Sequence, residues 1–330
     1  MSTASTRPFD GLTPDTIADA IESLDWLCDG RLLALNSYEN RVWQVGIEAA
    51  PPVIVKFYRP HRWSDDAILE EHHFAIELAE AGLSVVAPSL IRGSSLHRFK
   101  DFRFAVFPRR GGHAPEAAHR PTLEALGRQL GRFHAVGAAG QFHHRGELSV
   151  DAFGHAPVRY LLEEQWIPAH LEDAFASLCE NLLGQIEATW RLAEGLPRIR
   201  LHGDCHPGNL LWRDDRAHFV DLDDCLSGPA VQDLWMLISG DRHERAEQWQ
   251  WLLGGYRMFG DFNLSSLNLI EPLRTLRMLN YQAWLAKRWE DPAFPAAFPW
   301  FESPRHWEEV VQQLREQMDE LQQGPLILHE

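Results

Sequence analysis

Pro108-Arg109-Arg110-Gly111-Gly112 divides the sequence into two textures, and that division limits the folds open to it. Before it, short apolar runs recur: Arg31–Leu35, Arg41–Val45, Val53–Phe57, a stretch around Leu90–Arg92, and Phe102–Phe107. Their β-branched and aromatic content predicts strands, the first two joined by the polar turn Asn36-Ser37-Tyr38-Glu39-Asn40. Two helices punctuate them. Thr13-Pro14-Asp15 is a cap with proline at the first helical position, followed by Ile17, Ile21 and Leu24 at helical spacing. A second helix starts at Ser64, passes Ile68, Leu69, His72, Ile76 and Leu78, and stops at Gly82. After the division helical spacing dominates. Thr122–Val136 carries Leu123, Leu126, Leu130 and Phe133 on one face. Further helices are predicted over 170–195, 229–238, 244–259 and 271–289, and a last one from Ser303; 291–300 reads as a packed loop. The expectation is an α+β chain of two lobes, a small β-rich one over 1–108 and a large helical one over 109–330. A cleft between lobes is where a ligand would sit.

Composition narrows the function classes. Against 31 Lys and Arg stand 47 Asp and Glu, a net charge of −16 that opposes binding of nucleic acid through a broad basic face. No apolar run approaches the roughly 20 residues a membrane helix requires. The opening MSTASTRPFD lacks the apolar core of a signal peptide, so a cytoplasmic address is expected. Cys28, Cys179, Cys205 and Cys225 are scattered, with no Cys-x-x-Cys pair, and suggest neither a disulfide framework nor a zinc knuckle.

One segment interrupts the helical half: Leu201-His-Gly-Asp-Cys-His-Pro-Gly-Asn-Leu-Leu-Trp212, then Phe219-Val-Asp-Leu-Asp-Asp224. Apolar residues flank polar loops in both pieces, and a short hairpin would gather His202, Asp204, Asn209, Asp221 and Asp223. Phosphoryl transfer needs a base for a hydroxyl proton and hard oxygen ligands for a divalent cation on the phosphates. On that reading Asp204 is the base, and Asn209 and Asp221 hold Mg²⁺. A calcium loop from Asp221 fails, since its sixth position is Leu226 and its twelfth Gln232. A zinc pair of His202 and His206 would need a helix, which Gly203, Pro207 and Gly208 oppose.

HGDxHxxN followed by an apolar-Asp-x-Asp resembles the motif pair of the aminoglycoside phosphotransferase and choline kinase superfamily. That likeness implies the bilobal protein-kinase-like fold, with ATP and Mg²⁺ as ligands and Asp204 and Asp221 as catalytic residues. Lys56, in Val53-Ile-Val-Lys-Phe, resembles the third-strand lysine that steadies the α- and β-phosphates. Glu70 and Glu71 both qualify by type as its carboxylate partner. Glu71, seven residues before Leu78, has the spacing of the family's pattern. The turn 37–40 takes the place of a glycine-rich loop, with Ser37 the expected nucleotide contact, and adenine is expected against Phe104–Arg109, including Phe107. Gly203 stands where protein kinases carry arginine, and His206 where they carry lysine. Asp233, in Val231-Gln-Asp-Leu-Trp, resembles an aspartate that braces the catalytic loop, and His134 is expected to pack or cap its helix.

The likeness spans about residues 31 to 285. More narrowly, LNSYENRV, VKFYRPxRW, ILEEHxFA, HGDCHxGNxLW, FVDLDD and GPAVQDLWML resemble the stress response kinase A family of bacterial serine/threonine protein kinases. That implies a kinase with protein serine or threonine as acceptor and a role in surviving stress; separately, a monomer is expected. The competing expectation is a phosphotransferase for a small cationic acceptor such as an aminoglycoside, choline or amino alcohol, which a charge of −16 would suit.

Overall fold

The computed structural model describes residues 7–116, 118–324, 326 and 328, so the ends of both expected lobes (1–6 and 329–330) and the opening of the N-terminal segment lie outside the described residues. Helix α1 (Pro14–Glu22) begins where Thr13 accepts the backbone N–H of Thr16. Strands β1 (Cys28–Ala34), β2 (Arg41–Ile47) and β3 (Ala50–Phe57) follow, then α2 (Asp65–Glu80), β4 (His97–Phe99) and β5 (Phe102–Pro108). They form an antiparallel sheet in the order β1-β2-β3-β5-β4.

Alternation along β3 decides what the sheet presents on each face. Val55 and Phe57 join Val45, Phe104 and Val106 under α1, where Ile17 and Ile21 complete a closed apolar layer. Lys56 and Tyr58 point the other way, toward α2 and the cleft, with Ala105 opposite Lys56 and Phe107 opposite Ile54.

The helical lobe comprises α3 (Arg120–Ala138), α4 (Ala156–Glu163), α5 (Glu172–Leu192), the four-residue α6 (Gln232–Trp235), α7 (Arg242–Tyr256), α8 (Ile270–Lys287), α9 (Ala293–Ala297) and α10 (Pro304–Gln322). Between α5 and α6 lie short strands: β6 (Ile199–Leu201) pairs with β9 (Leu226–Gly228), and β7 (Leu210–Arg213) with β8 (Arg216–Phe219). Helices α3 and α7 touch backbone to backbone. A Cβ on Gly127 would strike the Leu252 carbonyl, and one on Gly255 the Glu124 carbonyl.

The lobes share a core. Phe74 and Leu78 of α2 pack with Leu126, Leu130 and Phe133 of α3 and with Phe219. The connector after α2 bonds the same hairpin, Val86 N–H to the Phe219 carbonyl at 2.9 Å and Phe219 N–H to the Ser84 carbonyl at 2.8 Å.

Three local expectations change. The stretch at 90–92 is not a strand: Arg92 and Gly93 have φ of 53° and 78° and fold it into a turn that bridges Ile91 to Ser94. The helix expected over 229–238 shrinks to α6, and 291–300 contains the single turn α9. Elements this short are below what periodicity resolves. Among the described residues, no helix is long and apolar enough to cross a membrane.

Candidate active site

The catalytic loop leaves β6 at Leu201 and turns sharply at Gly203, whose φ is +85°. A Cβ there would collide with the Asp224 carbonyl, so a side chain such as the kinase arginine has no room. Asp233 braces the turn. Its Oδ2 accepts from His202 N–H at 2.7 Å and its Oδ1 from Gly203 N–H at 2.9 Å. The Gln232 amide donates to the Gly203 carbonyl at 2.8 Å. Asp233 is itself held by the buried His134, whose Nε2 lies 3.2 Å from it and whose Nδ1 lies 2.9 Å from the Tyr256 hydroxyl. Bracing by Asp233 and packing by His134 are the roles expected of them.

Asp204 emerges from this turn toward the cleft. The Asn209 amide nitrogen donates to its carbonyl at 3.0 Å and lies 3.4 Å from its Oδ2, as does His206 Nε2. Its Oδ1 accepts from the Arg277 guanidinium of α8. Burial alone would raise the Asp204 pKa, but His206 and Arg277 outweigh it and hold the carboxyl below its ordinary range. It is therefore ionised at neutral pH, as a base must be.

Lys56 and Asp221 meet across the cleft. Asp221 sits in the left-handed region at φ 60°, a strained conformation that keeps its carboxylate half-exposed at the mouth. Lys56 Nζ is 2.9 Å from Asp221 Oδ1, 3.0 Å from Asp223 Oδ1 and 3.7 Å from Glu71 Oε1. Burial disfavours the ammonium, yet the carboxylates of Asp221, Asp223 and Glu71 raise the Lys56 pKa well above its ordinary value. Glu71 Oε2 is buried without a hydrogen-bond partner, and burial pushes the Glu71 carboxyl up to about 7. Glu70 points elsewhere: its carboxylate accepts the backbone N–H groups of His143, His144 and Arg145 at 2.6 to 2.8 Å. Geometry thus separates two neighbouring glutamates into a cleft group and a loop anchor.

Several arginines that motif spacing did not single out hold this constellation. Arg62 pairs with both Asp223 and Asp224. Arg145 donates to the carbonyls of Asp223 and Cys225 and lies 3.9 Å from the centre of the Trp63 ring. The only signal for Arg62 was its place in VKFYRPxRW; Arg145 and Arg277 stand in no motif.

The β1–β2 turn is tied to the helical lobe. Ser37 donates to the Asn40 carbonyl at 3.0 Å within the turn. Glu39 accepts from Trp284 Nε1 at 2.6 Å and Arg288 Nε at 3.1 Å, and pairs with Arg59 at 2.9 Å. Arg59 and Arg41 in turn meet Asp291 at 2.6 and 2.9 Å. Phe107, half-buried on the Lys56 face of the sheet, packs edge-on to His72.

A hard cation suits these donors. The Asn209 nitrogen is spent on Asp204, which leaves its Oδ1 and the half-exposed Asp221 carboxylate as oxygen donors. Among the described residues no three His, Cys, Asp or Glu gather as a metal-holding group, so the remaining ligands would be phosphate oxygens and water. His202 gives its Nε2 to the Val220 carbonyl at 2.9 Å, away from His206, so the zinc pair does not form. Cys205 and Cys225 are buried, and burial raises both thiols, so they fill space.

Residues 31–270 match the Phosphotransferase enzyme family. The chain is 44% identical over 320 residues to stress response kinase A of Escherichia coli K12, covering 97% of each chain. It is 41% identical, at the same coverage, to the serine/threonine protein kinase RdoA of Salmonella typhimurium. Among solved structures it resembles the amicoumacin kinase hAmiN in complex with AMP-PNP and Ca²⁺, at TM-score 0.65 and 19% identity over 86% of this chain and 89% of that one. That likeness supports the fold: a small antiparallel N-lobe over a helical C-lobe. The chain belongs to the Phosphotransferase enzyme family, and within it to the stress response kinase A family of ATP-dependent phosphotransferases.

Proposed function

We propose that this protein is an ATP- and Mg²⁺-dependent serine/threonine protein kinase, acting as a cytoplasmic monomer in the response to stress. The observation that carries the reading is the near-full-length relation to kinases so named, at 41 to 44% identity over 97% of the chain. The convergence of Lys56, Asp204, Asn209 and Asp221 on one cleft is consistent with it. Residues 1–108 would form the nucleotide-binding lobe and 109–330 the catalytic and acceptor-binding lobe.

In this reading Lys56 directs its ammonium at the α- and β-phosphates, with Glu71, Asp221 and Asp223 keeping it charged. Ser37 and the turn behind it cover the phosphates, and Phe107 with the backbone after it flanks adenine. Asn209 Oδ1 and the Asp221 carboxylate would hold Mg²⁺, which when bound offsets charge on the transferring phosphoryl group. Asp204 accepts the proton of the acceptor hydroxyl as its oxygen bonds to the γ-phosphorus. The bond to the β,γ-bridging oxygen breaks, and ADP leaves with that electron pair. Positioning and electrostatics carry most of the rate, and the base contributes about 10²- to 10⁴-fold.

The test is transfer of labelled γ-phosphate by wild type and Asp204→Ala, offered a generic protein acceptor and, separately, amines and amino alcohols. Label on protein that is lost in the variant supports the reading. Label only on a small amine overturns it. Asp221→Ala should abolish metal-dependent turnover with the fold intact, and full activity there would remove Asp221 from the metal site.

A further inference from the structure

Beside the catalytic aspartate lies a groove of about 550 Å³, walled on one side by α8 and on the other by the segment from Trp300 into α10. Arg274, Arg277, Met278 and Tyr281 recur along α8 at the spacing of one helical face, and all line this groove. Trp300 and Tyr281 are exposed aromatics in its wall. The titratable groups facing it are Arg274, Arg277, Tyr281, His306 and Glu309. Glu309 forms an exposed pair with Arg305 at 2.9 Å and remains, among the described residues, the one acidic side chain of the wall, and His306 Nε2 lies 2.9 Å from the Gln282 side-chain oxygen. Arg274 pairs with Glu271 at 3.0 Å and lies 5.0 Å from the centre of the Trp235 ring. In a chain that is strongly acidic overall, the cations of this groove are Arg274 and Arg277, each paired with a carboxylate.

Arg277 has a second connection. Half-exposed, it rests on Oδ1 of Asp204, the residue read as the base. A guanidinium there occupies one side of the Asp204 carboxylate, where an acceptor hydroxyl would have to approach. An acceptor must displace it, and the displaced cation then needs an anion. An acceptor segment with a carboxylate near its hydroxyl supplies one, whereas a cationic acceptor would be repelled.

We propose that Arg277, with Arg274 one helical turn before it, selects acceptor segments carrying an Asp or Glu side chain beside the phosphorylated serine or threonine, that carboxylate drawing Arg277 off Asp204. This rests on the reading that the acceptor is a protein. The groove then holds an acidic peptide segment, its aromatic wall packing the flanking residues, and recognition is coupled to release of the base.

The experiment compares labelled phosphate transfer to peptides that contain one serine and differ only in its neighbours, Asp, Asn or Lys, with a panel of amino alcohols in parallel. Full-length wild type, Arg277→Gln and Arg274→Gln are assayed. A charge-assisted contact predicts kcat/KM for Asp peptides about tenfold or more above Asn peptides in wild type, and lower still for Lys peptides. In Arg277→Gln the ratio of Asp to Asn peptides should fall below about threefold, whatever the absolute rate of the variant. Arg274→Gln should lower the ratio partway. Equal wild-type rates on all peptides, a Lys preference, or a preference that survives Arg277→Gln would overturn the assignment while leaving a protein kinase. Label on amino alcohols with none on any peptide would overturn the protein acceptor and this assignment together.

Discussion

Lys56 Nζ lies 2.9 Å from Asp221 Oδ1, although 165 positions separate the two residues. The contact joins β3 of the small lobe to the loop after β8 of the large one, so the cation proposed for the phosphates and the carboxylate proposed for the metal are placed by one interaction. Replacing Lys56 by Met should lower turnover by about 100-fold or more, chiefly through the loss of charge on the phosphates. It also takes from the buried Glu71 its ion-pair partner, where such a loss costs about 3 to 5 kcal/mol, while Asp223 keeps Arg62. Steady-state kinetics with a urea titration would separate the effects; unaltered kcat/KM for ATP would remove Lys56 from the site.

Gly203→Ala should be among the most damaging single-methyl changes in the chain. Its φ of +85° and the Asp224 carbonyl leave no position for a Cβ. Strain of about 1 to 3 kcal/mol is expected from the backbone alone. The loop would shift away from Asp233, so activity should fall further than stability. Comparing the variant's melting temperature with its residual phosphate transfer checks this, and a fully active Gly203→Ala would refute it.

The clamp at Asp291 ties the β1–β2 turn to the helical lobe through Arg41 and Arg59. Asp291→Asn removes the charge that two guanidinium groups share and should cost about 1.5 to 3 kcal/mol. Because the same turn carries Ser37, KM for ATP should rise while kcat changes less. A variant with unchanged KM would mean the clamp serves stability only.

His72 makes acid stability measurable. It is buried between the Tyr58 hydroxyl at 2.6 Å and Ser95 Oγ at 2.9 Å, and burial lowers its pKa to about 3, with the Lys56 charge adding to the effect. The folded chain therefore refuses a proton that the unfolded chain accepts near pH 6.5. Stability from this group is full above that pH and is lost as pH falls toward 3, by up to about 1.4 kcal/mol per pH unit. Urea midpoints between pH 7 and 5 should decline in wild type more steeply than in His72→Gln. Parallel slopes would contradict the assignment.

Much of this was legible in the linear chain. Thr13 and Ser64 cap the helices expected of them, and Gly82 at φ 78° ends α2. Asp204, Asn209 and Asp221 come together as their spacing around a short hairpin implied. Glu71 rather than Glu70 reaches toward Lys56. The caps and the hairpin are local, so periodicity, turn chemistry and donor chemistry suffice to read them, whereas Glu71 is read from the likeness to the family's pattern, since Glu70 qualifies equally by type.

The chain by itself determined the two lobes, the order of their main elements and the chemical groups of the cleft. Tertiary structure alone decided which arginines meet which carboxylates. Arg62 reaches Asp223 across 161 positions, Arg277 reaches Asp204 across 73, and Arg41 reaches Asp291 across 250. No local pattern marks such pairs, because an arginine on a helix face looks the same in sequence whether it faces water or Asp204. Only the packing of α2, α8 and the hairpin brings the charges within reach, and there the low dielectric makes each pairing matter.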